Sequence, residues 1–150
     1  MVTVRRATEE DRLGLFKLSA AMHAETDFAC LRFNPHKALD NLGGWVHHKD
    51  GLMLVAADDG VVIGMLAATF KRPWFTDDEV ASEDLFYVAQ DRRGSRTAYR
   101  LMQAYIQACR DRGIKYLRAG ISTGAPGKNA GRIYEHFGMR CTGACYSMNL

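Results

Sequence analysis

A mixed α/β fold of the α+β type, one central β-sheet flanked by helices, follows from three features of the sequence. Two apolar runs rich in Val, Ile and Leu, 52-LMLVAA-57 and 61-VVIGMLAATF-70, stand back to back. Between them lies Asp58-Asp59-Gly60, a hairpin turn signal, because Gly accepts the positive φ that such turns need. A clean amphipathic helix pattern then begins near Gly94, between the strand-like runs 83-EDLFYVA-89 and 114-IKYLRAGIS-122. Strand, helix, strand in that order predicts a parallel pair joined by a right-handed crossover.

The other elements follow in chain order. Residues 2-VTVRRA-7 read as a short strand, and Thr8 with Asp11 makes a capping-box-like start to a helix that runs to about Met22. Residues 23–37 read as a loop, and Pro35 opens a second short helix through 38-ALDNLGGWV-46. The stretch 71-KRPWFTDDEVAS-82 is a polar loop with two aromatics. In the main helix, Ala98, Leu101, Met102, Tyr105, Ile106 and Cys109 form one apolar stripe, with Arg100, Gln103, Gln107 and Arg110 on the other side and Gly113 at the stop. After the loop 123–129, a last helix puts Ala130, Ile133, Tyr134 and Phe137 on one stripe, with Gly138 as its stop. Residues 139–150 read as a closing strand or hairpin. The predicted order is β-α-α-β-β-β-α-β-α-β, and the whole of 1–150 reads as one domain without repeat or linker.

Composition narrows the classes. Hydrophobic residues make up 47% and charged residues 25%, which is an ordinary globular balance. No apolar run approaches the ~18–20 residues of a membrane span, and the first residues lack the apolar core of a signal peptide. A cytoplasmic location and no membrane partner are therefore expected. The net charge of +3 is too mild to argue for nucleic acid by itself. Cys30, Cys109, Cys141 and Cys145 contain no CxxC and match no standard zinc spacing. Cys141 and Cys145 with His47 and His48 could in principle hold a metal, but the missing spacing favours free thiols, and no metal is expected.

The turn 92-RRGSR-96 joins a strand to the clearest helix. Such a turn faces the helix's free N–H groups and the positive end of its dipole, which together favour an anion. Gly94 gives the backbone room, Arg92, Arg93 and Arg96 add charge, and Ala98 is small enough for close approach. Position alone leaves two readings open, an anion seat and a solvated basic turn.

The segment 93-RGSRTA-98 resembles the acetyl-CoA diphosphate loop of the GNAT N-acetyltransferase superfamily, whose motif reads Arg/Gln-x-x-Gly-x-Gly/Ala. Arg93 matches the first position and Ala98 the last, Arg96 replaces the middle glycine, and Gly94 fits the common Arg-Gly form. Residues 130-AGRIYEHFGM-139 resemble the second signature, Ala-x-x-x-Tyr-Glu-x-x-Gly-Phe, with Met139 in place of Phe. Gly127 stands where Asn is common, and Asn129 is close by. The element order matches as well, so the resemblance covers essentially the whole chain.

The resemblance implies a co-substrate, acetyl-CoA, lying in a V-shaped gap between the strands 83–89 and 114–121. Its pantetheine arm would pair with backbone near Tyr87 and Val88, like an added strand. Its diphosphate would rest on the N–H groups of Arg93, Gly94, Ser95, Arg96, Thr97 and Ala98, with Asn129 and Tyr134 nearby. Acetyl transfer needs a neutral amine, and because an amine of pKa ~10.4 is mostly protonated at neutral pH, a general base, acting directly or through water, helps. Glu83 and Asp84 stand beside the expected thioester on opposite faces of a strand, so only one can face the cleft, and Glu83 is favoured. Tyr134 occupies the family's tyrosine position and would protonate the leaving thiolate; as one residue of an apolar stripe it could instead be core. Phe28, Phe33, Trp45, Trp74 and Phe75 would frame the acceptor, or pack as core, and Asp77, Asp78 and Glu79 form an acidic loop.

Three functions stay open on these grounds. The leading one is an acetyl-CoA-dependent N-acetyltransferase with a small-molecule or peptide amine as acceptor. The second is a CoA-binding sensor or interaction module without catalysis, which would not need Tyr134. The third is an acetyltransferase acting on aminoacyl-tRNA, to which the arginines at 92–100 and 110–112 leave room, although a cofactor's phosphates explain them equally. A homodimer is also open, because the stretch 143–149 could extend a neighbour's sheet.

Overall fold

The computed structural model describes residues 1–120 and 128–150. Its elements are β1 (Val2–Arg6), α1 (Arg12–Glu25), α2 (Pro35–His47), β2 (Gly51–Asp58), β3 (Val61–Lys71), β4 (Val80–Val88), α3 (Thr97–Asp111), β5 (Tyr116–Arg118) and α4 (Lys128–His136). They build one five-stranded sheet in the order β1-β2-β3-β4-β5. The first four strands are antiparallel neighbours and β5 runs parallel to β4, as a strand–helix–strand crossover requires. The β2–β3 turn carries Asp59 at φ 47° and Gly60 at φ 81°, two consecutive positive values whose twist matches that of the flanking strands.

Helices cover both faces. α3 seats Leu101, Met102, Tyr105 and Cys109 on Leu52, Leu54, Ala56, Leu66, Ala68 and Val88, with α4 packed beside it. α1 and α2 seat Leu15, Leu18 and Leu42 on the opposite residues of the strands, Met53, Val55, Met65, Ala67 and Tyr87. Alternate strand residues thus serve two cores. Local chemistry fixes the helix starts. The buried Asp11 carboxylate accepts the Thr8 N–H at 2.8 Å and the Arg5 guanidinium at 2.6 and 2.9 Å. The Asn34 side chain caps α2 by accepting the Lys37 N–H at 3.1 Å.

The structure differs from the sequence reading at several places. α1 continues past Met22 to Glu25, because His23-Ala24-Glu25 holds no breaker and the chain turns extended only at Thr26. The strand expected at 83–89 begins three residues earlier, at Val80, and ends at Val88. The strand expected at 114–122 is formed over Tyr116–Arg118, and its last two residues fall outside the described set. The closing strand is absent: residues 139–150 carry no regular structure. A three-residue β5 offers a short template for it. The stretch also mixes Gly143, Ser147 and Asn149, poor strand formers, with Tyr146 and Met148, which stand 95% and 80% exposed. The homodimer edge expected at 143–149 therefore has no strand to offer. Among the described residues, no helix is long and apolar enough to cross a membrane.

Candidate active site

Among the described residues, β4 and β5 pair from Val80–Ser82 to Tyr116–Arg118, and their ladder ends there. At that point β4 carries a bulge. Ala67 faces Leu85 and Ala68 faces Glu83, so Asp84 is the extra residue. The bulge overrides the simple alternation expected for Glu83 and Asp84. It resets the pleat, so that Glu83 shares a face with Phe86 and Val88, the face that α3 and α4 cover. Asp84 is exposed.

On that face Glu83 meets Tyr134. The Tyr134 hydroxyl donates to the Glu83 carboxylate at 3.0 Å, and the Gly120 N–H reaches the same oxygen at 3.3 Å. Phe86 lies against the Tyr134 ring, with centroids 6.3 Å apart. Tyr105, fully buried, donates its hydroxyl to the Arg118 carbonyl at 3.2 Å and so ties β5 to α3 just before the fork. Burial pushes the Glu83 carboxyl up to about 7, against the pull of the Tyr134 and Gly120 bonds. Burial, then the neighbouring carboxylate, pushes the Tyr134 phenol upward too.

The backbone of β4 beyond the bulge is divided by its ladder. The Ala89 N–H donates to the Ile63 carbonyl at 2.9 Å. By antiparallel alternation, the backbone groups of Leu85 and Tyr87 then face β3, and those of Phe86 and Val88 face the fork. Tyr87 is thus the member of the expected cofactor strand that is turned away. Its side chain lies in the α1–α2 core, and its hydroxyl donates to Glu25 at 2.5 Å. Phe86 and the Val88 N–H carry the backbone that an added strand could meet, since the Val88 carbonyl faces that side as well but accepts Arg93 Nε.

The turn into α3 is built from its own side chains. The Ser95 hydroxyl donates to the Arg92 carbonyl at 2.7 Å and accepts the Thr97 N–H at 3.3 Å. Arg92 pairs with Asp58 at 3.0 Å. Arg93 folds back: its Nε donates to the Val88 carbonyl at 3.1 Å and its Nη2 to Glu25 at 2.6 Å. Gly94 takes φ 81°, which a side chain would resist. Arg96 has φ −75° and ψ 3°, values open to any residue, so the glycine common at this position is not needed here. Among the described residues, the N–H groups of Gly94, Ser95, Arg96, Ala98 and Tyr99 meet no protein acceptor. They open at the start of a 15-residue helix, where the dipole also favours an anion. A diphosphate would fit this open run of backbone N–H groups, with Arg96 exposed beside it and Arg92 and Arg93 each paired to a carboxylate.

The remaining expectations scatter. Phe33 packs on Phe16 and His23 of α1, and Trp45 packs in the α1–α2 core. Phe28 is half exposed, and Trp74 with Phe75 forms an exposed edge-on pair. Glu79 is bound to Arg112 at 2.8 Å and Asp78 to Lys115 at 3.2 Å, which leaves little free acid there for an amine. A cavity of about 600 Å³ lies beside Arg112 and Glu79, at the far end of α3 from the turn and away from Glu83 and Tyr134. Asn129 stands in the first turn of α4, but its side chain, Gly127 and the loop before them lie outside the described residues. Among the described residues, no group of His, Cys, Asp and Glu is gathered to hold a metal ion. Sequence reasoning missed Glu25, Gly120 and Tyr105 as parts of this region. Only Glu25 left a signal, the unbroken helical run through His23-Ala24-Glu25.

A mixed sheet that forks beside an open helix N-terminus is the framework of an acetyl-CoA-dependent N-acetyltransferase. The comparisons agree. The model of the acetyltransferase (GNAT) family matches residues 19–139, and the chain belongs to that family. No curated protein matches it. Solved structures share the fold over nearly full length. A transcriptional regulator from Bacillus halodurans C-125 aligns with TM-score 0.78 at 22% identity, covering 100% of both chains. A ribosomal-protein-alanine N-acetyltransferase from Brucella melitensis biovar Abortus 2308 aligns with TM-score 0.75 at 18% identity, covering 100% of this chain and 99% of the other. A protein from Clostridium acetobutylicum described as a predicted acetyltransferase, solved with acetyl-CoA, aligns with TM-score 0.75 at 15% identity, covering 99% of this chain and 96% of the other.

Proposed function

We propose that the protein moves the acetyl group of acetyl-CoA directly to a primary amine, with both substrates bound at once, and that Glu83 and Tyr134 carry the protons. The observation that supports this most is the 3.0 Å hydrogen bond from Tyr134 to Glu83 inside the fork. Acetyl-CoA, as a substrate, supplies a thioester whose diphosphate would rest on the N–H groups of Gly94 to Tyr99 and whose arm would run along Phe86 and Val88. The acceptor nitrogen bonds to the acetyl carbon and the carbon–sulfur bond breaks. One proton must leave nitrogen and one must reach sulfur.

Glu83 suits the first transfer. A carboxyl near 7 is half ionised at neutral pH and is a far stronger base than an ordinary carboxylate. Tyr134 suits the second through its bond to Glu83. While Glu83 is charged it holds the phenol's proton, and once Glu83 has taken the amine's proton that hold weakens. The hydroxyl then gives its proton to sulfur and recovers one from Glu83, so the net change is one proton carried from nitrogen to sulfur. Alignment of the two substrates in the fork would supply much of the remaining rate.

The acceptor is proposed as an amine borne by a small molecule or peptide. The test is release of free CoA thiol from acetyl-CoA with a panel of small amines, peptide N-termini and aminoacyl-tRNAs. Acceptor-dependent release is expected with at least one of the first two classes. Release with aminoacyl-tRNA alone, lost steeply with added salt, would move the reading to that acceptor. Acetyl-CoA binding without release across the panel would leave a CoA-binding module in place of an enzyme.

A further inference from the structure

The residue that organises the turn into α3 lies outside it, at the end of α1. Glu25 reaches across to two partners. One carboxylate oxygen accepts the Tyr87 hydroxyl at 2.5 Å, and the other accepts Nη2 of Arg93 at 2.6 Å. The same guanidinium donates through Nε to the Val88 carbonyl at 3.1 Å and lies over the Tyr87 ring, 5.3 Å from its centroid. Its Nε and Nη2 are thus held, one by the sheet and the other by α1. Burial works against the charge on Glu25, but the Tyr87 and Arg93 bonds outweigh it and keep the carboxyl below the usual range.

The placement has two effects on the turn. Arg93 is the residue immediately before Gly94, where the chain swings to φ 81° and the open run of N–H groups begins. With its side chain fixed at the end of β4, the backbone entering that run has one direction. The fixed side chain also covers the Val88 carbonyl, which the ladder otherwise leaves facing the fork. A free Arg93 guanidinium would be able to turn outward and meet the anion itself, as a flexible point of charge in place of a set of fixed donors.

Resting on the reading of this turn as the diphosphate seat, we propose that Glu25 is a positioning residue for acetyl-CoA. It holds Arg93 against β4 and thereby keeps the N–H groups of Gly94 to Tyr99 aimed at the diphosphate. It is not a catalytic residue, because it touches neither the fork pair nor the reacting atoms. The arrangement also joins the seat to α1, whose next residues lead to Phe33, packed back on Phe16 and His23.

The test is calorimetric acetyl-CoA binding, with steady-state kinetics, for the parent, Glu25→Gln, Glu25→Asp, Arg93→Gln and the double variant Glu25→Gln/Arg93→Gln. Glu25→Gln is expected to raise Kd and KM for acetyl-CoA about tenfold (~1.4 kcal/mol), with kcat at saturation within about threefold and the pH limb set by Glu83 unmoved. Glu25→Asp, whose carboxylate falls a methylene short, is expected to weaken binding in the same sense, and it serves if Glu25→Gln does not fold. The double variant should bind like Arg93→Gln alone, because Glu25 acts through Arg93. A folded Glu25 variant that binds acetyl-CoA within about twofold of the parent, even with a lowered melting temperature, overturns the inference, since a purely structural role would do that. Penalties that add in full in the double variant overturn it as well. A parent that fails to bind acetyl-CoA sinks the functional reading itself, and this inference with it.

Discussion

Replacing Glu83 by Gln separates the role of its proton from its role in packing. The carboxyl stands at about 7 in place of 4.5, mainly because it is buried. That rise makes the ionised form about 3 kcal/mol harder to reach than in water. If the ionised form is the base, kcat at saturating substrates should fall with acid along a limb bending near pH 7. At pH 5.5 roughly 3% of the carboxyl is ionised, so the rate should be roughly thirtyfold below its plateau. Glu83→Gln should cost about 10²- to 10⁴-fold in kcat and abolish that limb, while acetyl-CoA still binds. Stability should move the other way. Glu83 binds its proton more tightly in the folded chain, so its contribution to stability is full below about pH 4.5 and is lost as pH rises through about 7. Gln keeps an oxygen that can accept from Tyr134 and Gly120 but carries no charge to bury. The variant should therefore gain up to about 3 kcal/mol over the parent at pH 8, or roughly 5–10 °C in melting temperature, and nothing at pH 4.5. A parent profile that is flat from pH 5.5 to 8, or the same limb surviving in Glu83→Gln, would refute the reasoning.

Other perturbations test neighbouring steps. Tyr134→Phe removes the donor that pulls the Glu83 carboxyl down, so kcat should drop by at least about tenfold and the limb should move to higher pH, with acetyl-CoA affinity kept; a variant as fast as the parent would show that Tyr134 gives no proton. Arg96→Gly should leave acetyl-CoA binding within about tenfold (~1.4 kcal/mol), because the backbone at 96 already has ordinary angles, and a larger loss by calorimetry would assign the guanidinium to a phosphate. Leu101→Ala should cost about 2–5 kcal/mol in urea unfolding, since Leu101 is fully buried in the core beneath α3.

What the sequence made legible is what depends on period and punctuation. The stripe of α3 is visible because Leu101, Met102, Tyr105 and Cys109 repeat at helical spacing, and the same residues are buried on the sheet. The β2–β3 turn is visible because Asp59 and Gly60 accept positive φ. The parallel pairing of β4 with β5 follows from the length of helix between them. The site was legible only in part, because side-chain direction is set by neighbours distant in the chain. Arg93 reads as one more cation at a basic turn, and only Glu25, 68 residues earlier, shows that its charge is already matched. The closing strand is the opposite case: an apolar-looking tail, Cys145 to Leu150, with no long strand beside it on which to pair.

The bulge at Asp84 links these failures to the function. One extra residue in a strand bends it and increases its twist. Here that residue lies just past Ser82, the last position among the described residues at which β4 holds β5. The bend thus accompanies the end of the β4–β5 ladder, beyond which the Phe86 backbone and the Val88 N–H face away from β3. The same insertion changes which side chains share a face. In an unbroken strand, Glu83 and Phe86 would point to opposite sides, and Glu83 could not meet a tyrosine that lies against Phe86. With the bulge both face α4, and the Tyr134 hydroxyl reaches Glu83. A single departure from the period of two therefore accompanies the end of the β4–β5 ladder and brings the Glu83 carboxyl to the Tyr134 hydroxyl, the arrangement on which the proposed function rests. Period-based reading cannot foresee such a departure, because nothing in the residue types at 83–86 distinguishes the extra residue from its neighbours.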